Sequence, residues 1–203
     1  IESIVNKGIG YIAEDGVYFS ISNYTQKYRY GILSQISQSH SKQRIHNDEY
    51  EKSEARDFAL WKKTDVGEPN WKLTIQGRTI MGRPGWHIEC SAMSAKYLSA
   101  PFDIHTGGVD LIFPHHENEI AQTKAATSKD LSRLFLHNEH LLVEGRKMSK
   151  SLANFYTLTD LEKKGIHPLA FRLLVLESHY RSQQNFNMQA ATGANNSLQT
   201  MLA

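Results

Sequence analysis

The stretch FDIHTGGVDLIF, residues 102–113, followed at once by PHHENE to residue 119, constrains this chain more than any other. Apolar and polar residues alternate through its first half, the period of a strand with one buried face, and Gly107-Gly108 then reads as a turn. Pro114 comes next. Proline is favoured at the first position of a helix, where its missing N–H costs no hydrogen bond and its φ is already helical. A strand that delivers a loop to a helix is the unit from which α/β folds are built. The same change of period recurs elsewhere: a helix is expected from about 88 to 98 after Pro84-Gly85, a strand within 134–145, and a long helix near 168–178. Short strands alternating with helices predict an α/β sheet with parallel strands.

Between these segments the pattern is more varied. Residues 1–12 read as the end of an amphipathic helix stopped at Gly8 or Gly10 and running into a short strand. Asp15-Gly16 between two apolar-aromatic runs is a hairpin signal. From 34 to 56 the composition turns to Ser, Gln, Lys, His and Glu without periodicity, which predicts a solvated connection. Residues 57–87 carry Trp61, Trp71 and Trp86 and are expected as loops and short strands on the edge of a core, whereas the chain beyond 159 is helical in pattern.

With 203 residues, 40% of them hydrophobic, the chain can bury a real core. Its 23 Lys+Arg against 21 Asp+Glu leave no whole-chain field to attract nucleic acid, so any RNA contact must be local. A single cysteine, Cys90, excludes an internal disulfide and fits a reducing compartment. There is no run of 18 apolar residues and no signal-peptide pattern, so a cytoplasmic chain without a membrane partner is expected. It starts Ile-Glu and ends within a helical pattern, as a piece of a longer polypeptide would.

The cluster FPHHENE poses a metal question. On a helix, residues four apart share a face, which pairs His115 with Glu119 and points His116 elsewhere. One imidazole and one carboxylate do not close a tetrahedral site, and Cys90 is the only thiol that could join them. The alternative is plain: Cys90 is a small core residue, and the acidic cluster favours the helix dipole.

Taken together, GRPGWHIECSAMSAKYL, FDIHTGGVDLIFPHHENEIAQ and EGRKMSKSLANF, in that order, resemble the cysteinyl-tRNA synthetases, a family of class I aminoacyl-tRNA synthetases. The likeness runs from about residue 1 to 187. KMSKS alone marks only the class; GWHIEC together with GGVDLIFPHHENE narrows it to the cysteine enzymes and their close relatives. The resemblance implies an α/β fold comprising the second half of a Rossmann-like (HUP-type) catalytic domain. It assigns 1–82 to a connective insertion and linker, 83–158 to the nucleotide-binding half with the KMSKS loop, and 159–203 to the start of a helical region that contacts the tRNA stem. It also implies one zinc ion per subunit on Cys90, His115 and Glu119. By the same resemblance Trp86 and His105 wall the amino-acid pocket, Gly107, Gly108 and Asp110 hold the adenosine, and Lys150 contacts ATP. The substrates implied are L-cysteine, ATP with magnesium and tRNA(Cys), and a monomer is expected.

The chemistry suits these residue types. Attack of a carboxylate on the α-phosphate of ATP needs positioning and charge neutralisation more than a protein nucleophile, and Lys147 with Lys150 on a loop could supply that charge. A substrate thiolate binds a borderline-soft metal far better than the hydroxyl of serine does. A small apolar pocket separates two such substrates by only about 1–3 kcal/mol, so coordination makes editing unnecessary. Against the family pattern, a HIGH-type ATP signature, a second zinc cysteine and an anticodon-binding domain have no counterpart here, and Ala153 stands where glycine usually follows KMSKSL. This reading predicts a chain incomplete for activity by itself. The rival functions are a cysteine ligase of the mycothiol pathway with the same adenylation step and a non-catalytic tRNA-binding module. A zinc hydrolase is weaker, because HHENE lacks the HExxH order.

Overall fold

The computed structural model describes residues 1–34, 57–65, 67–149, 151–152 and 154–203. The predicted connection over 34–56 thus lies, from residue 35 on, outside the described residues, as do Lys150 and Ala153. The chain divides into two compact units: residues 1–105 with 110–135, and residues 106–109 with 136–203.

The first unit begins with the short helix α1 (Glu2–Asn6), which ends before Gly8, a residue at φ +74° that lets the chain reverse into β1 (Gly10–Ile12). The Asp15-Gly16 turn then returns it as β2 (Gly16–Phe19), paired antiparallel with β1 as the hairpin signal predicts. After α2 (Ile21–Thr25) come β3 (Phe58–Lys63), β4 (Trp71–Ile75) and β5 (Arg78–Pro84). These complete a five-stranded sheet ordered β1-β2-β3-β5-β4, antiparallel at every pairing. The largest sheet therefore departs from the expected parallel one. Tight turns such as those joining β1 to β2 and β4 to β5 allow only antiparallel neighbours, whereas a parallel pair needs a long crossover. Phe19, Phe58 and Leu60 of this sheet pack with Ile4, Tyr24, Ile88 and Ala121 into one core.

On that core lie α3 (Trp86–Tyr97) and α4 (Glu117–Thr127), which pack against each other. Ser91 Oγ donates to Gln122 Oε1 across the pair at 2.6 Å. Lys7 Nζ donates to the carbonyls of Ala125 and Ala126 at 3.0 and 2.8 Å, so the chain just after α1 supplies a cation where the last carbonyls of α4 lack intrahelical partners. Between α3 and α4 in the chain comes β6 (Phe102–Gly108), which forms a two-stranded sheet with β7 (Ser132–Asn138).

In the second unit β8 (Leu141–Val143) sits between β9 (Arg146–Lys147), antiparallel to it, and β10 (Gln184–Phe186), parallel to it. Helix α5 (Leu158–Lys163) is opened by a capping box between Thr157 and Asp160. Helix α6 (Pro168–Leu176) has His167 as its N-cap and proline in its first turn, and α7 (Met188–Leu202) starts at Asn187, whose side chain accepts from Ala190 N. Their apolar faces close on Val143 and Phe186. The predicted helical stretch thus also contains a strand, β10, which three residues of sequence pattern could not reveal. Among the described residues no helix is long and apolar enough to cross a membrane.

Candidate metal and substrate site

Helix α3 starts two residues earlier than its apolar spacing predicts, and Gly85 is the reason. Gly85 N donates to Leu60 O at 3.0 Å, and a Cβ there would stand 2.2 Å from Ala59 O. Only glycine lets the helix begin this close to β3. The entry into α4 is less regular than proline at a first helical position implies: Ile112–His116 is an irregular turn with Phe113 extended (φ −135°, ψ 133°), and the regular helix begins at Glu117.

These two helices bring Cys90, His115 and Glu119 together, with one ligand atom from each, all within 4.8 Å of one another. Glu119 is fully buried. Its Oε2 is 2.7 Å from His105 Nε2 and 3.7 Å from His115 Nε2, while its buried Oε1 finds no hydrogen-bond partner among the described residues. An orphaned buried carboxylate oxygen is costly, and a cation held by the thiol, imidazole and carboxylate would satisfy it. Sulfur, nitrogen and oxygen in this combination fit zinc. A second group, His105, His116 and Glu119, is equally close but lacks sulfur. His116 is thus not turned away as the spacing of four implied. It is buried, its Nε2 lies 4.0 Å from Glu119 Oε2, and its ring centroid is 4.3 Å from that of His105, because residues three apart on a helix also share a face.

Burial raises the Cys90 thiol pKa, with the carboxylates of Glu119 and Glu89 adding to the effect. Burial likewise lowers the His115 pKa; Glu119 opposes this and His105 reinforces it. Without a cation the pair is therefore a neutral thiol beside a neutral imidazole at pH 7.

Trp86, half exposed at the start of α3, lies over His115 with ring centroids 4.4 Å apart. His105 is flanked by Phe102 and Phe135 at 5.4 and 5.6 Å, and its bond to Glu119 gives it a second partner beyond the wall position the resemblance implies. Gly107 and Gly108 do not form the turn read from the sequence. Both belong to β6, and the chain turns one residue later in a 3-10 turn, Val109–Leu111, that exposes Asp110.

In the second unit the KMSKS motif starts on a strand, not in a loop: Lys147 is exposed on β9, opposite Leu142. Asn154 steadies the residues after β9, accepting from Ser149 N at 2.8 Å and donating to Lys147 O at 3.0 Å, while the hydroxyls of Ser149 and Ser151 meet at 2.7 Å. No sequence pattern singles out Asn154. His87 carried a signal that the search for ligands missed, since it lies three residues before Cys90 on the same helix face.

Glu117 proves to be a structural anchor. Its carboxylate is 1% exposed and accepts from the backbone N–H groups of Gly31, Leu33 and Ser34. Next to it Asn118 Oδ1 accepts from Tyr30 at 2.6 Å.

The family model described as "tRNA synthetases class I (C) catalytic domain" matches residues 1–196. The chain is similar to proteins named cysteine–tRNA ligase: 49% identical to that of Solibacter usitatus, over 96% of this chain and 41% of the relative. It is 50% identical to that of Leptospira interrogans, over 92% of this chain and 39% of the relative. The chain thus spans about two-fifths of the length of the curated relatives it matches. Among solved structures, a leucyl-tRNA synthetase (LeuRS) of Agrobacterium radiobacter, in a ternary complex with tRNA and LeuAMS, shares the fold. Its TM-score is 0.52 at 17% identity, over 63% of this chain and 20% of that one.

Proposed function

Because the chain belongs to the family of class I (C) tRNA synthetase catalytic domains, we propose that it is the part of a cytoplasmic cysteine–tRNA ligase that selects cysteine and helps to activate it. The observation that carries this is the convergence of Cys90, His115 and Glu119 around a buried carboxylate oxygen without a partner. In this reading Cys90, His115 and Glu119 hold one zinc ion per subunit. When bound, zinc would supply a borderline-soft Lewis acid that distinguishes a substrate thiolate from a hydroxyl. Trp86 covers the His115 side and offers an apolar wall to the short substrate side chain. His105 fixes Glu119 by its bond to Oε2.

Asp110, exposed in its turn, accepts from the ribose hydroxyls of ATP, with Gly107 and Gly108 allowing close backbone approach. Lys147 and Lys150, with magnesium, neutralise the triphosphate and the pyrophosphate that leaves when the cysteine carboxylate attacks the α-phosphate. The cysteinyl group then passes to tRNA(Cys), and the protein works as a monomer. The division at 82 and 158, with a stem-contacting helical region after 159, belongs to the same proposal.

Full-length protein carrying Cys90→Ser, His115→Ala or Glu119→Gln should bind zinc weakly or not at all and should lose its preference for cysteine over serine in pyrophosphate–ATP exchange. Unchanged zinc content in all three variants would refute the ligand set; exchange that ignores cysteine in the wild type would refute the activity.

A further inference from the structure

His87 lies one turn before Cys90 on α3, so the two share a helix face. It is 2% exposed, and its Nδ1 is 2.9 Å from Nδ1 of His115. Two imidazole nitrogens at that distance need one N–H and one lone pair, so each ring fixes where the other carries its proton. A His115 that donates from Nδ1 keeps a lone pair on Nε2. A neutral His115 that accepts at Nδ1 has a protonated Nε2, which cannot bind a cation. Nε2 is the nitrogen on the Glu119 side, 3.7 Å from Oε2.

We propose that His87 is a positioning residue that acts through His115: its Nδ1 accepts the Nδ1–H of His115 and thereby presents an unprotonated Nε2 towards Cys90 and Glu119. The role rests on the zinc site proposed for these residues. The same bond selects the ring orientation of His115, since a half-turn of the ring would put a C–H where the N–H must be. Packing holds both partners in place. Phe58 meets His87 edge to face at 6.1 Å, and Trp86 lies 4.4 Å over His115. Ligands commonly depend on such outer partners for orientation and basicity. The competing view is that His87 merely fills space beside Phe58.

Two substitutions separate these roles. His87→Phe keeps a ring against Phe58 but removes the acceptor, and in full-length protein it should weaken zinc binding about 10–100-fold in competition with a chromophoric chelator. His87→Asn, whose Oδ1 can accept where Nδ1 did, should recover zinc binding to within about threefold of wild type. A loss equal in both variants, or none in His87→Phe, overturns the proposal. A measurement without variants guards against misfolding. Long-range proton–nitrogen NMR of metal-free wild type at pH 7.5 should find the His115 proton on Nδ1; a proton on Nε2 overturns the proposal. A wild type that takes up no zinc defeats the zinc site itself, and the NMR experiment still decides the partnership of the two rings.

Discussion

Replacing Glu117 by alanine should loosen the link between α4 and the loop at 31–34 without touching Cys90, His115 or Glu119, the ligands proposed for zinc. The carboxylate accepts three backbone N–H groups, from Gly31, Leu33 and Ser34, and the Ser34 hydroxyl at 3.3 Å. Alanine leaves all of these donors without that acceptor. A buried donor that loses its partner costs about 1–3 kcal/mol, and because Leu33 and Ser34 are only partly buried, water can reach them and the lower end applies. Three donors at that level give about 3 kcal/mol. For a chain of this size the melting midpoint should fall by about 6–12 °C. Hydrogen exchange at the Gly31, Leu33 and Ser34 amides should accelerate about 100-fold, the equivalent of that free energy. Glu117→Gln, which keeps one carbonyl acceptor, should lose about 1 kcal/mol. Zinc stoichiometry should stay at the wild-type value, because Glu117 is in neither ligand group. A destabilisation below about 1 kcal/mol for alanine, or a folded variant that has lost its zinc, would refute the view of Glu117 as an anchor alone.

Acid should weaken the metal-free protein through His115. Its folded pKa lies below the ordinary 6.5, so the unfolded chain binds the extra proton first, and stability present above that value falls as pH drops through it towards the folded pKa. Urea midpoints between pH 5 and 8 check this, and His115→Ala should flatten the profile. Cys90 acts in the other direction: its raised pKa means that stability is lost as pH climbs past the ordinary 9.0, and that zinc uptake near pH 7 releases about one proton, measurable by calorimetry in two buffers. Gly85→Ala, which forces a Cβ to 2.2 Å from Ala59 O, should cost about 1–3 kcal/mol or more and weaken zinc binding by shifting the helix that carries Cys90; unchanged zinc affinity would refute that coupling. Asn154→Ala removes both bonds that span the KMSKS segment, and it should slow cysteine-dependent pyrophosphate exchange while leaving zinc content unchanged; an unaltered exchange rate counts against the clamp.

Much of the local structure was legible in the residues. Gly8 and Asp15-Gly16 mark the first turns, and the spacing of apolar residues finds α3 and α6 to within about two residues. His115 and Glu119 share a face because a helix repeats every 3.6 residues, whatever surrounds it. Where the pattern misleads, the cause is physical too. Alternation at 102–108 reports one buried face but not where a strand ends, so Gly107-Gly108 suggests a turn that in the structure comes one residue later. The β4 sequence, Trp71–Ile75, alternates apolar and polar residues as a strand should, yet Trp71 is exposed and only Ile75 is buried, so alternation finds the strand but not how much of its apolar face the core covers.

The sequence by itself determined which residue types are at hand: one thiol, a His–Glu pair one turn apart, and a glycine before the helix that carries Cys90. Only the tertiary structure decided their partners. Cys90 reaches the pair because α3 packs on α4, the Nδ1 of His87 meets the Nδ1 of His115, 28 positions away, and Glu117 accepts from a backbone 83 to 86 positions earlier. Local periodicity follows from the backbone repeat of each element. Contacts across such separations are set by which apolar faces close on one another, and no window of sequence contains both sides.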